Sequence, residues 1–327
     1  MFQAIDGGYK WKGLLYIGYA ALAAFTDSNV TIVIDNTEMV SPDFNRIEIH
    51  NASTNIAWTN VSITALGTVS KGEFEMIDNA TVVLTDCAFT DMSTFVFLSN
   101  GDAPGTTWRR CGSIITAGGD YTGAKVIEPS VSGTDVSGFI WDSATDPVGL
   151  MDNMVFTKGA NVHHAIEFGT SCPATVTLAG IAFTGFHATD GQTTSTLYFT
   201  DTGADVDWTV NLSGCTGNIS YKKARAGDTV TLVASVVITL TGMKDSTQVR
   251  VFEYGTTTPE LAGIEDATAG TPDNRSFAFS LEAATVVDIR LHNVAYTSDD
   301  IEQYTIPALA ASLPIVQKFD RNYENPV

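Results

Sequence analysis

The chain has 327 residues and a formal net charge of −20, with 37 acidic against 17 basic side chains. That length exceeds one ordinary core and favours two domains, while the acidic surface repels phosphate backbones and anionic membranes, so neither nucleic acid nor membrane is an expected partner. Only 17% of residues are charged although 44% are hydrophobic; Thr, Ser, Asn and Gly carry the polarity, a mixture suited to strands and tight turns.

At the start, Lys10 and Lys12 precede an apolar run from Gly13 to Phe25 that superficially resembles a signal peptide. The run is too short to span a bilayer as a helix. Residues 1–28 therefore read as a capping or attachment segment.

From about residue 29 the pattern becomes short apolar alternation broken by turn residues. Val30–Ile34, Ile47–His50, Val61–Ile63, Thr81–Leu84, Phe95–Leu98 and Ile114–Ile115 read as strands. A repeat lies beneath them. Thr59–Thr64 resembles Thr85–Thr90, and Asp152–Thr157 and Ala179–Thr184 follow the same order of small or polar, apolar, small, apolar, Thr. Arg110–Ile114 and Ser213–Gly217 are looser copies. Counted on the apolar anchors, Val61 to Cys87 is 26 residues, Cys87 to Cys111 is 24 and Met154 to Ile181 is 27. The 43 residues from Cys111 to Met154 fit two steps with Phe139–Trp141 between, and the 34 from Ile181 to Cys215 need an inserted loop, for which Gly185–Thr196 is the candidate. A period in the mid-twenties predicts stacked solenoid coils over residues 29–226. A generic β-sandwich is the alternative.

After Lys222–Asp228 the strands lengthen: Thr229–Leu240, Gln248–Tyr254, Ser276–Leu281, Val286–His292 and Ile301–Ile306. They predict a small antiparallel β-sandwich over 227–306. Residues 307–327, with Pro314 and Pro326, read as an extended tail suited to lie along a neighbour. The fold class is thus all-β: a right-handed parallel β-helix followed by a small antiparallel sandwich.

Chemistry-bearing residues are scattered. His163 and His164 are adjacent and point to opposite faces of a strand, so they cannot chelate one metal together; His164 and His187, with Glu167 nearby, could stack one coil apart, but no HxH or HExxH motif supports a metal. Asp86, Asp91, Asp142, Asp152 and Asp190 could supply a glycosidase pair, although solvated turn residues are the simpler reading. Arg109–Arg110 is the tempting basic pair for a lyase. Ser171–Cys172–Pro173 reads as a turn, not a nucleophile. The four cysteines, at 87, 111, 172 and 215, form no CxxC pair and read as reduced, buried thiols. Seven Asn-x-Ser/Thr sequons, at 29, 51, 60, 79, 211, 218 and 274, are explained by turn chemistry. Trp58, Trp108, Trp141 and Trp208 fall near the repeat anchors and read as packing, not as a sugar-stacking platform. No catalytic, metal or cofactor residue is assigned.

The coil at Thr85–Thr90 and the strand-turn-strand Thr239–Met243 to Gln248–Phe252 resemble tailed-bacteriophage virion proteins, which pair a parallel β-helix with a small β-sandwich. The resemblance implies a homotrimeric, non-enzymatic structural protein. Its expected role is capsid decoration (cement) on the virion surface, bound to the major capsid protein. A tail fibre or tailspike that binds or cleaves host surface polysaccharide is the alternative.

Overall fold

The computed structural model describes the whole chain except residues 1, 6–7, 12–13, 19–23, 36–45, 67–71, 258–259, 283–284, 299, 308–310 and 320–327. The described residues are all-β, and their parallel sheets are consistent with a β-helix. The chain divides into two compact units, one of residues 1–210 with 215–231 and one of residues 211–214 with 232–327.

In the first unit the chain visits three sheets in turn. The first sheet runs through Thr31–Asp35, Ser62–Leu66, Ala88–Thr90, Thr107–Arg109, Lys125–Ile127, Val155–Thr157 and Ala182–Thr184, each parallel to the next. The second runs from Leu15–Ile17 to Tyr221–Lys223 and the third from Ala24–Ser28 to Gly101–Asp102. At the far edge of the first sheet Phe2–Ile5 pairs antiparallel with Gly8–Trp11, itself parallel to Thr31–Asp35. The apolar run 13–25 thus contributes short strands, Leu15–Ile17 and the start of Ala24–Ser28, where it is described. No helix among the described residues is long and apolar enough to cross a membrane.

Register explains the repeat. Ile63, Phe89, Trp108, Val126, Phe156 and Phe183 occupy one inward row of the first sheet, one residue per coil, and all are buried. Because each inward side chain meets its counterpart one strand away, aromatic residues stack on aromatic residues: Phe89 on Trp108 (6.3 Å, 14°), Phe156 on Phe183 (5.5 Å, 17°) and Phe168 on Phe199 (5.3 Å, 26°).

Every entering corner of the first sheet from Ser62–Leu66 onward, and most of the described leaving corners, take left-handed backbone. The entering corner is held by Asn29, Asn60, Asp86, Gly105, Gly123, Asn153, Gly180 and Gly214, all at positive φ. At Gly180 the requirement is double. Its φ is +66°, and a Cβ there would lie 2.3 Å from Oδ1 of Asn153, one coil below. The leaving corner uses Asp91, Arg110 and Glu128, then Gly185 and Gly217. Sequon asparagines 29, 51 and 60 are therefore corner residues, with φ of 56°, 70° and 54°.

Coil length varies more than the sequence count suggests. Trp108 to Val126 is 18 residues and Val126 to Phe156 is 30. Two expectations are corrected. Cys111 does not align with Cys87: it follows the leaving corner, and the place opposite Cys87 falls to Thr106, with Trp108 opposite Phe89. Val126, not Phe139, is the intermediate before Phe156, since Phe139 belongs to the second sheet beside Ile114. The pairs Val61/Cys87 and Met154/Ile181 do align, and Thr216 bridges to Ala182 after the excursion through 185–196.

The second unit is built largely from antiparallel strands. Ala269–Thr271, Asn274–Glu282 and the later part of Thr229–Met243 form one sheet; Glu260–Ile264, Gln248–Glu253, Val286–His292 and Ile301–Thr305 form another. Both feed one core, which includes Ile238, Leu240, Val249, Val251, Phe279, Val287 and Ile289. The five expected strands are present, each within a few residues of its expected ends; Glu260–Ile264 and Ala269–Thr271 are additional. The tail differs from expectation. Its described part turns back on its own unit: Ala311–Pro314 pairs parallel with Ile238–Thr241, and Lys318–Phe319 pairs with Tyr296–Thr297. Ile315 joins the core, and Gln317 Oε1 accepts from the Lys244 amide at 2.6 Å. The apolar alternation of Leu313 and Ile315 is what drives this docking.

Candidate functional site

The carboxylates considered for catalysis are turn and corner residues in different places. Asp142 Oδ1 accepts from the Ser171 amide at 2.8 Å, Asp152 Oδ1 from Gly149 at 2.8 Å and Asp190 Oδ1 from Tyr221 at 2.9 Å. Asp91 holds Arg110 through two bonds of 2.9 Å, and Asp86 sits over Gly105. Asp102 and Asp146 repeat the device, accepting from the amides of Asp120 and Thr177 at 2.7 Å. Several of these bonds join neighbouring coils, so the acids satisfy backbone donors that the corners leave exposed. Among the described residues Arg109 pairs with Glu128, at 3.6 Å.

Trp58, Trp108, Trp141 and Trp208 are each 0–1% exposed, so they pack the interior and offer no sugar platform. No disulfide joins the four cysteines. Burial pushes the thiols of Cys87 and Cys172 up to about 11, and Cys172 Sγ donates to the Trp141 carbonyl at 2.8 Å. A nucleophilic thiol needs the opposite shift. Native-state alkylation of Cys87 and Cys172 at pH 8 is expected to run at least about tenfold slower than in denaturant, as read by mass spectrometry of labelled peptides.

The histidines do not converge. His163 is fully buried against Phe186, with ring centroids 5.8 Å apart, while His187 is exposed on the 185–196 excursion and its Nδ1 accepts from the Thr189 amide. Among the described residues no cluster of His, Cys, Asp or Glu has the geometry to hold a metal.

One place does gather titratable groups, and it lies on the outward row of the second sheet. Register places Val96, Ile115, Ile140, Glu167, Tyr198 and Lys222 on successive strands. Links between the first and second sheets are short at 91–94 and 110–113, but 128–136 and 185–196 are long enough to fold over this row. The link 128–136 forms a strap. It is tied by Ser130 N to Cys111 O (2.7 Å), Gly133 N to Val162 O (2.7 Å) and Asn161 Nδ2 to Pro129 O (3.1 Å). Pro129 would lie 2.7 Å from any Cβ at position 138, so glycine lets the strap approach the sheet.

Beneath it, Lys222 Nζ donates to Thr134 O and to Asp135 Oδ1, both at 2.6 Å. The His164 ring stacks on Tyr198 at 5.0 Å and 9°, with Nδ1 2.7 Å from Ser195 O and Nε2 3.0 Å from Thr134 O. Burial pushes the Glu167 carboxyl up to about 7, with the charges of Asp142 and Asp135 adding to it. Bonding to Lys222 and to Thr134 holds Asp135 below its ordinary range. Next to Lys222, Asp190, Gly191, Tyr221 and Lys223 complete a cavity of about 350 Å³. His164 and Glu167 were legible as candidates; Asp135, Tyr198 and Lys222 were not, because nothing in their spacing marks them.

No family model, curated protein or solved structure matches the chain.

Proposed function

We propose that the chain is a right-handed parallel β-helix followed by a small antiparallel β-sandwich, and that it serves as a non-catalytic structural protein of a phage virion. Its role in this reading is capsid decoration: a homotrimer on the capsid exterior, contacting the major capsid protein. The observation that carries the structural part is the use made of the acids. Asp102, Asp142, Asp146 and Asp190 tie one coil to another through backbone amides, as a stack built for rigidity requires. The virion part rests on the sequence resemblance. Light scattering on purified protein should give three times the 34.8 kDa chain mass, and the trimer should bind undecorated capsids stoichiometrically. A monomer that ignores capsids would defeat this reading.

The second reading is a tail fibre or tailspike that binds or cleaves surface polysaccharide. It is favoured by one observation, the pairing of a carboxyl raised to about 7 at Glu167 with Asp135 held low beside it; pairs pushed apart in this way suit acid–base chemistry. Cleavage of an acidic glycan, lost in Glu167→Gln, would move the weight to this reading.

A further inference from the structure

Tyr221–Lys223 is the last strand of the second sheet and forms its edge. Ser220 O accepts from Leu197 N and Ala224 N donates to Phe199 O, so alternation turns the backbone groups of Tyr221 and Lys223 to the open side. A row of outward N–H and C=O groups on a sheet edge is a template for another strand. The link 185–196 doubles back onto this one. Asp190 Oδ1 accepts from Tyr221 N at 2.9 Å, and Gly191 N donates to Tyr221 O at 2.7 Å, the two bonds that a paired strand would make. Lysines often guard such edges, but these two fold onto their own chain. Lys222 Nζ donates to Thr134 O and Asp135, and Lys223 Nζ to Ala226 O and Asp228 O. The edge of the first sheet is closed differently, by backbone: Phe183 N donates to Thr216 O and Thr216 N to Ile181 O, both at 2.9 Å.

We propose that the tip of the link 185–196 is a removable edge cap: seated, it keeps Tyr221–Lys223 from pairing, and lifted, it lets this strand pair with the same strand of a second copy of the chain. The link is fixed at its base and lightly held at its tip. Asn218 Nδ2 donates to Phe186 O at 3.1 Å and Ser220 Oγ to His187 O at 2.6 Å, which ties the base down. Residues 187–193 are exposed. The tip reaches the strand through Asp190 and Gly191, beside a cavity of about 350 Å³ that they share with Tyr221, Lys222 and Lys223, where a true neighbouring strand would continue the ladder. Gly191 has a φ of +77° and open space where a Cβ would lie, so glycine serves the turn and not the packing. The edge is self-complementary. A two-fold axis through Lys222 sets Tyr221 of one copy opposite Lys223 of the other, and both residues present their backbone groups outward. The lysines that meet at the axis are each bonded to Asp135 of their own chain, which blunts their repulsion. So short a pairing makes a weak, concentration-dependent contact. It concerns the sheet edge alone and is independent of what the protein decorates or binds.

Asp190→Ala combined with Gly191→Pro takes away the acceptor, the donor and the positive φ that seat the tip. Light scattering on the full chain, over a concentration series up to ~100 μM, reads the result. At the upper end the variant should reach about twice the mass of wild type at the same concentration. Adding Lys223→Pro removes an outward N–H that an edge strand can spare, and should return the mass to the wild-type value. A cap variant that keeps the wild-type mass throughout the series would overturn the proposal, as would association that persists with Lys223→Pro. If the cap variant does not fold, hydrogen exchange of the wild-type protein in rising urea decides. The Gly191 and Tyr221 amides should lose protection at lower urea than the Leu197 amide, which donates to Ser220 O at 2.9 Å. Loss in step with Leu197, or no protection at the outset, overturns the cap.

Discussion

Replacing Trp108 by alanine should lower the unfolding free energy of the first unit by about 3–5 kcal/mol. Trp108 occupies the inward row between Phe89 and Val126, is 1% exposed and meets Phe89, Phe95, Phe97 and Tyr121 at centroid distances of 6.0–6.4 Å. A coil cannot collapse onto the hole without moving its neighbours, because each strand is locked in register on both sides. The cavity term therefore adds in full to the lost transfer energy. Trp108→Phe should cost much less. It keeps an aromatic face in the stack, and it deletes an indole N–H that is buried without a hydrogen-bond partner, which offsets part of the lost area. Urea unfolding followed by the remaining tryptophan fluorescence distinguishes the two. Equal losses for Ala and Phe would overturn the cavity account of this position.

That row also marks how far the sequence could be read. Alternation and turn residues were enough to identify short strands and a repeat, and the pairs Val61/Cys87 and Met154/Ile181 stand in true register because each follows an entering corner held by Asn, Asp or Gly. Trp108 was read as packing, but its place in the repeat was not, for a physical reason. The entering and leaving corners both require left-handed backbone, so a polar residue followed by cysteine occurs at each: Asp86–Cys87 enters a strand, and Arg110–Cys111 leaves one. A spacing count cannot tell the two apart, and it placed Cys111 opposite Cys87, where Thr106 belongs. The candidate site was less legible still. Lys222 meets Asp135 across 87 residues, a contact created by coil stacking and by one long link, neither of which leaves a local signature. The tail at 311–319 shows the same limit: its prolines announce an extended chain, but not which edge it pairs with.

Replacing Glu167 by glutamine should change the pH dependence of stability more than its value in acid. Burial lifts the carboxyl from 4.5 to about 7 in the folded chain. A raised value means that the folded state holds the proton more tightly than the unfolded chain. Its contribution is thus complete below about pH 4.5 and is lost as pH rises through about 7. The full shift corresponds to about 3 kcal/mol, but the side chain is only half-buried and solvent screening reduces this to about 1–2 kcal/mol. Glutamine imitates the protonated form at every pH. Wild type and Glu167→Gln should therefore unfold at similar urea concentrations near pH 4.5, and the variant should be the more stable by about 1–2 kcal/mol at pH 8. His164 works in the opposite direction. Its lowered proton affinity makes the folded state lose stability as pH falls below about 6.5. The two slopes oppose each other in the wild type just below about pH 6.5. Removing the Glu167 slope should expose the histidine one, so the variant loses more stability than the wild type on acidification just below about pH 6.5. A variant whose stability runs parallel to wild type from pH 4.5 to 8 would show that Glu167 titrates as an ordinary surface carboxylate, and the acid–base pair with Asp135 would go with it.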